Sequence, residues 1–347
     1  MRRRASCLSR TSADASLQTL TLEPFTLNHR PLILGTRGSE LALRQAEMVE
    51  ATLRAAHPEL QVERKVIATT GDKRPDLRFR EFTEGDRLDK GIFTKELEIA
   101  LENKEIDIAV HSLKDVPTVL DPSFFIAAVL PRAPIEDVLI SREGFTLKTL
   151  PAGAKVGTSS VRRIRQLKWL RPDVECVEIR GNVPTRLRKL FLPSELDAIL
   201  LAKAGLVRLG LLGNADVSNP GWAPVNVDDQ TLRGAILPEN EYLPAAGQGA
   251  IGIEARCDDE RTLIALSTIN HAETFARITA EREFLHLLKA GCQTPIGALT
   301  TVDGQTLTMK AWVFDEADSA SPPKEVEASG LLSEPHALAE KLVSQLK

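Results

Sequence analysis

The 347-residue chain reads as an α/β protein of two lobes followed by a smaller C-terminal domain. Three observations predict this. From Pro31 onward, short apolar strands alternate with helices of 3.6-residue period, and the turns between them carry the polar residues. The same strand–turn–helix order begins a second time after PRAPIED (131–137). The last segment, 301–347, holds a strand-like TLTMKAWVF and a helix-like PHALAEKLVSQL without a third repeat of the order. Length gives a prior of about two to three domains, and 43% hydrophobic residues suffice for a core in each.

Residues 1–30 lie outside this pattern. Arg2, Arg3, Arg4, Arg10 and Arg30 stand against Asp14 and Glu23 among scattered serines, the bias of a disordered extension or a transit segment that could direct the chain to an organelle. PLILG (31–35) is a buried strand. Ser39 is placed to N-cap a helix whose Ala42, Ala46, Val49 and Leu53 share one face, ending at His57-Pro58. QVERKVIATT is the second strand. Residues 71–90 are polar, highly charged and aperiodic, the pattern of a lid-like loop. A helix from about Thr94 places Phe93, Leu97 and Leu101 at spacing four, and DIAVHS (107–112) is a strand that delivers Leu113-Lys114-Asp115-Val116-Pro117 at its C-terminal end.

In the second run, Lys155-Val156-Gly157 leads into Thr158-Ser159-Ser160 and a helix through Val161, Ile164 and Leu167, stopped by Arg171-Pro172. ECVEIRG (175–181) is a strand, Pro184 suits the first turn of the helix TRLRKL, and DAILLA (197–202) precedes the helical AGLVRLGL. Residues 213–240, rich in Asn, Asp, Pro and Gly, read as an irregular insertion. IGIEAR (251–256) is a strand, and a long helix from Thr274 carries Ile278, Leu285 and Leu288 before stopping at Gly291. The parse gives an extension at 1–30, domain 1 at 31–131 and 250–267, domain 2 at 136–243, and domain 3 at 272–347.

Charge and motif content narrow the function. Lys+Arg 44 against Asp+Glu 48 gives −4, which argues against a generally nucleic-acid-binding or polybasic membrane-surface protein. No apolar run is long enough for a transmembrane helix. Cys7, Cys176, Cys257 and Cys292 are far apart with no C-x-x-C pair, so neither a disulfide framework nor a zinc ribbon is indicated, and a reducing compartment fits. The six histidines form no ligand-spaced set, so no metal is expected. Gly247-Gln248-Gly249-Ala250-Ile251-Gly252 matches G-x-G-x-x-G formally but leads into a strand rather than a helix, the wrong context for a dinucleotide.

What remains is a set of polar residues at strand ends. Lys114-Asp115 stands where open α/β sheets bind ligands; an aspartate there can steady a positive intermediate or start the turn before Pro117. Cys292 follows a helix end and reads either as a reachable thiol or as a small buried hydrophobe, whereas Cys176 and Cys257 sit in strand contexts and read as inert. Residues 158–188 carry eight Lys and Arg against three Asp and Glu. Their arginines and the Thr158-Ser159-Ser160 turn at a helix N-terminus suit carboxylate or phosphate groups. Only Trp169 interleaves the cluster, so small polyanions are favoured over nucleic acid.

The order and wording of these segments closely resemble the porphobilinogen deaminase (hydroxymethylbilane synthase) family from Leu32 to about Gly297. The resemblance rests on GTRGSELAL (35–43), TTGD (69–72), FTKELE (93–98), VHSLKDVPT (110–118), VGTSSVRR (156–163), IRGNVPTRLRKL (179–190), AGLVRLGL (204–211), LPAAGQGAIGIE (243–254) and AGCQTPIGA (290–298). It implies two lobes like type II periplasmic binding proteins, with doubly wound mixed sheets, plus a smaller α+β C-terminal domain. It also implies head-to-tail condensation of four porphobilinogen molecules with loss of ammonia, on a covalent dipyrromethane cofactor.

Carried over residue by residue, the resemblance makes Asp115 the catalytic carboxylate and Cys292 the thioether anchor of the cofactor. Lys114, Asp115, Thr158, Ser159, Ser160, Arg162, Arg163, Arg180 and Gln248 would hold the cofactor. Arg37, Ser39, Lys90, Lys95, Arg180, Arg186 and Arg208 would hold substrate carboxylates. A cytoplasmic monomer acting on a small molecule, with no nucleic-acid or membrane partner, completes the expectation. The alternative is a two-lobed solute-binding protein for a small polyanion, which the absence of an apolar export signal disfavours.

Overall fold

The structure is a computed structural model and describes residues 30–69, 94–192, 195–214, 221–291, 294–315 and 321–346. In chain order its elements are β1 (Leu32–Thr36), α1 (Glu40–Ala56), β2 (Val62–Val66), α2 (Lys95–Glu102), β3 (Ile108–Ser112), a 3-10 turn (Leu113–Asp115), β4 (Phe124–Val129) and β5 (Asp137–Ser141). There follow β6 (Lys155–Gly157), α3 (Val161–Leu170), β7 (Glu175–Val177), α4 (Val183–Arg188), β8 (Ala198–Ala202) and α5 (Lys203–Arg208). The chain continues with β9 (Trp222–Val227), β10 (Gln230–Ile236), β11 (Ile251–Arg256), α6 (Glu260–Ser267) and α7 (Ala272–Leu287). It ends with β12 (Ile296–Asp303), β13 (Thr306–Val313), β14 (Lys324–Leu331) and α8 (Pro335–Ser344).

The chain divides into two compact units, one comprising residues up to His111, Asp115–Leu130 and Ile251–His271, the other Ser112–Lys114, Pro131–Ala250 and Ala272–Lys347. The first is built on a five-stranded sheet of order β2-β1-β3-β11-β4, with β1 parallel to β2 and β3 and with β11 antiparallel to β4. Alternation sorts its side chains onto two buried faces. Leu32, Leu34, Ile108, Val110, Ile253 and Ala255 pack with Ala46, Val49 and Leu53 of α1 and Ala265 and Leu266 of α6. Ala109 and Phe124 face the other way, toward Leu97, Ala100 and Leu101 of α2. Apolar residues on both faces are the mark of a sheet covered on both sides.

The second unit repeats this order in β7-β6-β8-β5-β10 and adds β9 at the edge. β6 is parallel to β7 and β8, while β5 is antiparallel to β8 and β10. Each sheet thus places a strand contributed from outside its βαβ run fourth in order: β11 returns after the second lobe, and β5 precedes it. The 213–240 segment corrects its irregular reading: β9 and β10 form a hairpin turning at Asp228, whose φ is 51°. The antiparallel sheet β12-β13-β14 carries its own core of Phe284, Ala298, Leu307, Met309 and Leu342 under α7 and α8. The second unit joins its two sheets through Leu243, Leu299, Phe314 and Trp312, the last edge-on to Trp169 at 5.1 Å. The α/β class, its two mixed sheets and the smaller α+β domain match the expectation.

Helix ends follow sequence chemistry. Ser39 accepts from Ala42 N at 3.3 Å, Asn182 from Thr185 N at 2.9 Å and Asp259 from Thr262 N at 3.2 Å, each satisfying a first-turn donor. The stop of α7 differs from expectation: Lys289, not Gly291, takes the left-handed conformation at φ 53°. Lys289 N donates to His286 O and Ala290 N to Leu285 O, so the chain has turned before the glycine.

Candidate functional site

In the first unit β1 and β3 are parallel, so the residues that follow them leave the same end of the sheet. Arg37 is half-buried, and Ser39 uses its hydroxyl to cap α1. Asp115 closes the 3-10 turn beyond β3 and is solvent-exposed. That leaves its carboxylate open to a ligand. Lys114 precedes it in the turn and is exposed, as is Lys95 in the first turn of α2.

The second unit gathers more of the predicted residues at the C-terminal ends of the parallel strands β6, β7 and β8. Thr158 is buried, and its Oγ1 accepts from Ser160 N at 3.3 Å. Ser159 Oγ donates to Ile179 O at 2.6 Å and accepts from Ile179 N at 3.2 Å, tying the β6 turn to the β7 strand end. Ser160 opens α3 without a side-chain capping bond, so its hydroxyl and the first N–H groups of the helix form an anion-favouring end. Arg180 pairs with Glu178 at 2.6 Å, and Arg186 Nε donates to Gly181 O at 2.7 Å.

Arg162 and Arg163 lie deeper than the motif alone suggests, 5% and 6% exposed. Both guanidiniums converge on Asp137, which opens β5: Arg163 Nη2 donates to Oδ1 at 2.7 Å, and Arg162 Nη2 lies 2.8 Å from Oδ2. Arg162 Nη1 also donates to Leu243 O at 2.6 Å, while its buried Nε has no partner. Burial alone would push the Asp137 carboxyl up, but the two cations outweigh it and hold the group well below the usual carboxylate range. Asp137 is the residue sequence reasoning missed. Nothing in the spacing pairs it with arginines more than twenty positions downstream.

Gln248 is 1% exposed, and its side-chain amide donates to Ile135 O at 2.6 Å and Asp137 Oδ1 at 3.0 Å, leaving Oε1 without a partner. Gly249 must be glycine: its φ is +82°, and a Cβ would stand 2.4 Å from Ala133 O. Its carbonyl accepts from Arg208 Nη2 at 2.7 Å. Burial pushes the Arg208 guanidinium down to about 10, and its buried Nε is unpartnered. Such a cation gains from an anionic ligand. Arg132 donates Nε to Gln248 O at 2.9 Å and is bidentate to Glu281 at 2.7 and 2.9 Å, holding the same segment.

Cys292, Lys90 and the loop 71–90 lie outside the described residues. Gly291 N donates to Thr294 Oγ1 at 3.1 Å and Thr294 N to Gly291 O at 3.1 Å, so the two described neighbours of Cys292 and Gln293 are linked. Cys176 is half-buried in β7, where burial pushes its thiol up, the environment of an inert cysteine. Cys257 is disulfide-bonded, a departure from the all-thiol expectation. Among the described residues there is no group of three or more His, Cys, Asp or Glu able to hold a metal, and no helix long and apolar enough to cross a membrane.

Two family models match the chain: "Porphobilinogen deaminase, dipyromethane cofactor binding domain" over residues 32–264, and "Porphobilinogen deaminase, C-terminal domain" over 275–347. Among curated relatives, porphobilinogen deaminase of Syntrophomonas wolfei is 44% identical over 307 residues, covering 86% of this chain and 92% of its own. That of Desulforudis audaxviator is 45% identical over 317 residues, covering 91% and 94%. Among solved structures, the periplasmic aliphatic sulphonate binding protein SsuA from Escherichia coli aligns at 14% identity over 76% of each chain with a TM-score of 0.38.

Proposed function

The chain belongs to the porphobilinogen deaminase family, and from that membership we infer how its residues divide the chemistry. The enzyme is a transferase of tetrapyrrole biosynthesis that condenses four porphobilinogen molecules head to tail, with loss of ammonia, into hydroxymethylbilane. The work falls into holding carboxylates and steadying a cation, because each pyrrole carries an acetate and a propionate and each condensation expels an amine.

Asp115 takes the second task. When the substrate's amine departs as ammonia, positive charge spreads over its methylene carbon and pyrrole nitrogen. An exposed carboxylate on a rigid strand end accepts the pyrrole N–H and stabilises that charge where it develops. Arg37, Ser39, Lys90 and Lys95 bind substrate carboxylates, and Lys114 beside Asp115 would hold the cofactor. In the second unit Thr158, Ser159, Ser160, Arg162, Arg163 and Arg180, with Gln248, hold the cofactor, while Arg186 and Arg208 join Arg180 on substrate.

The dipyrromethane cofactor of the family supplies, when bound, a pyrrole with a free α-carbon for the first condensation. The second unit suits such a polycarboxylate: Arg208 Nε and Arg162 Nε are buried donors without acceptors, and the Ser160 end of α3 lacks a side-chain cap. Cys292 anchors the group through a thioether. The same reading assigns 31–131 with 250–267 to the catalytic domain, 136–243 to carboxylate binding and 272–347 to cofactor attachment. It has the protein act as a cytoplasmic monomer on a small molecule.

The observation that supports this most directly is Arg208 at the end of α5, its guanidinium pushed down by burial and its Nε without a partner, since such a cation gains from an anionic ligand. Intact-mass measurement tests the reading. The purified enzyme should carry the excess of two linked pyrroles and colour with Ehrlich's reagent, and Cys292→Ser should lose both. An unmodified yet active wild type would overturn it, and ligand uptake without product from porphobilinogen would favour a solute-binding protein.

A further inference from the structure

The first unit buries a polar pair that the reading above does not use. His111, the penultimate residue of β3, and Glu254 of β11 are 4% and 0% exposed at their side chains and 2.9 Å apart, Nε2 to Oε2. The neighbouring strands place them on the α2 face: Ile108 and Val110 point to the α1 core and Ala109 to α2, so His111 joins Ala109. Likewise Ile253 and Ala255 face α1, leaving Glu254 on the α2 side. In the tautomer that carries its N–H on Nε2, the ring donates to the Glu254 carboxyl group.

Two features mark the pair as more than packing. The β11–β4 register shifts between Ile253 and Glu254. The extra residue is Ala127 of β4, on the strand paired with β11 at this point, and bulges are over-represented next to active sites. Glu254 also keeps its second oxygen, Oε1, buried without a hydrogen-bond partner, a cost that an apolar pair of similar size would avoid. Near it stands Glu98 of α2, whose Oε1 accepts from Thr94 Oγ1 at 2.9 Å and which itself feels Asp121. Arg256, two residues on along the same face, is engaged by Asp107 and Asp259 instead.

We propose that His111 and Glu254 are positioning residues for Asp115, pinning the end of β3 so that the 3-10 turn beyond it leaves the sheet in one direction. Only Ser112, Leu113 and Lys114 separate His111 from Asp115. A strand end held by a cross-strand bond transmits little play over that distance, whereas an unpinned end would misplace the carboxylate by a fraction of an ångström to an ångström. Misplacement on that scale costs up to about 100-fold in rate. The proposal rests on the reading of Asp115 as the carboxylate acting on substrate, and the test separates the two.

Steady-state kinetics on holoenzyme with verified Ehrlich colour would compare Glu254→Leu, Glu254→Gln, Asp115→Asn and the Asp115→Asn/Glu254→Leu double variant. Glu254→Gln keeps an acceptor and should stay within about threefold of wild type. Glu254→Leu should lose about 10- to 100-fold in kcat with KM within about threefold, and should cost less than about twofold more in the Asp115→Asn background. Wild-type kcat in Glu254→Leu, parallel changes in kcat and KM, or a penalty that persists without the Asp115 carboxylate would each overturn the proposal. Near-normal turnover by Asp115→Asn would instead remove the Asp115 reading. If Glu254→Leu does not fold, His111→Gln, long enough to donate, should recover the kcat that His111→Asn, too short, loses.

Discussion

Replacing Asp137 by Asn tests the physical core of the second lobe. The carboxylate is fully buried and receives Arg163 Nη2 and Gln248 Nε2 on Oδ1, with Arg162 Nη2 beside Oδ2. The asparagine amide would present a donor where one of these donors now points, and two guanidiniums, 5% and 6% exposed, would lose their shared counter-charge. Breaking a buried ion pair from one side costs about 3–5 kcal/mol, a large part of a typical total of about 5–15 kcal/mol. At roughly 2–4 °C per kcal/mol, the melting temperature should fall by roughly 6–20 °C. The pH dependence has a definite sign. Asp137 is depressed in the folded state, so its contribution is fully present above the unfolded carboxylate value of about 3.9 and is lost only as pH falls below that. Thermal melts of wild type and Asp137→Asn should therefore differ by a constant amount from pH 5 to 8 and converge in stronger acid. A loss under about 1 kcal/mol, or a gap that widens in acid, would refute the assignment of Asp137 as the counter-charge.

Glu98 behaves oppositely. Burial first, and then the Glu254 charge, raise its carboxyl, so its folded state is favoured below the unfolded value and loses stability as pH rises through the folded one. Glu98→Gln should melt slightly higher than wild type at pH 8, by under about 1 kcal/mol because the group is only half-buried, with the gap closing near pH 4; a lower melting point at pH 8 counts against this. Gly249→Ala forces a left-handed alanine and a Cβ at 2.4 Å from Ala133 O. The backbone conformation alone costs about 1–3 kcal/mol, so its urea midpoint should drop clearly, and an unchanged midpoint would show that the Ala133 backbone can move aside.

Where the physics is local, the sequence was readable. Ser39, Asn182 with Pro184, and Arg171-Pro172 bound helices by capping and by what proline forbids, and the structure places helix ends there. The hairpin β9–β10 was hidden because Pro224 and Gly234 are residues that strands disfavour, and β5, which pairs with β10, lies some ninety residues earlier. Strand order is likewise non-local. That β11 and β5 each sit fourth in a sheet depends on pairings across a whole lobe, which no window of residues contains.

The same limit separates the site residues that matched their expected setting from those that did not. Asp115 and the Ser159–Ser160 turn were visible because a strand end followed by a polar turn is a local pattern. Arg162 and Arg163 also lie in that pattern, yet charge counting treats every arginine as available, and these two are buried against an aspartate contributed by a different strand. The net −4 of the chain and the local positive excess at 158–188 are therefore both poor measures of what a ligand meets. The useful measure is donors left over after internal pairing. By that measure Arg208, whose Nη2 meets the Gly249 carbonyl while Arg162 and Arg163 share the Asp137 carboxylate, is a stronger candidate for a carboxylate than either arginine of the VRR motif. Its loss should raise KM for porphobilinogen more than it lowers stability.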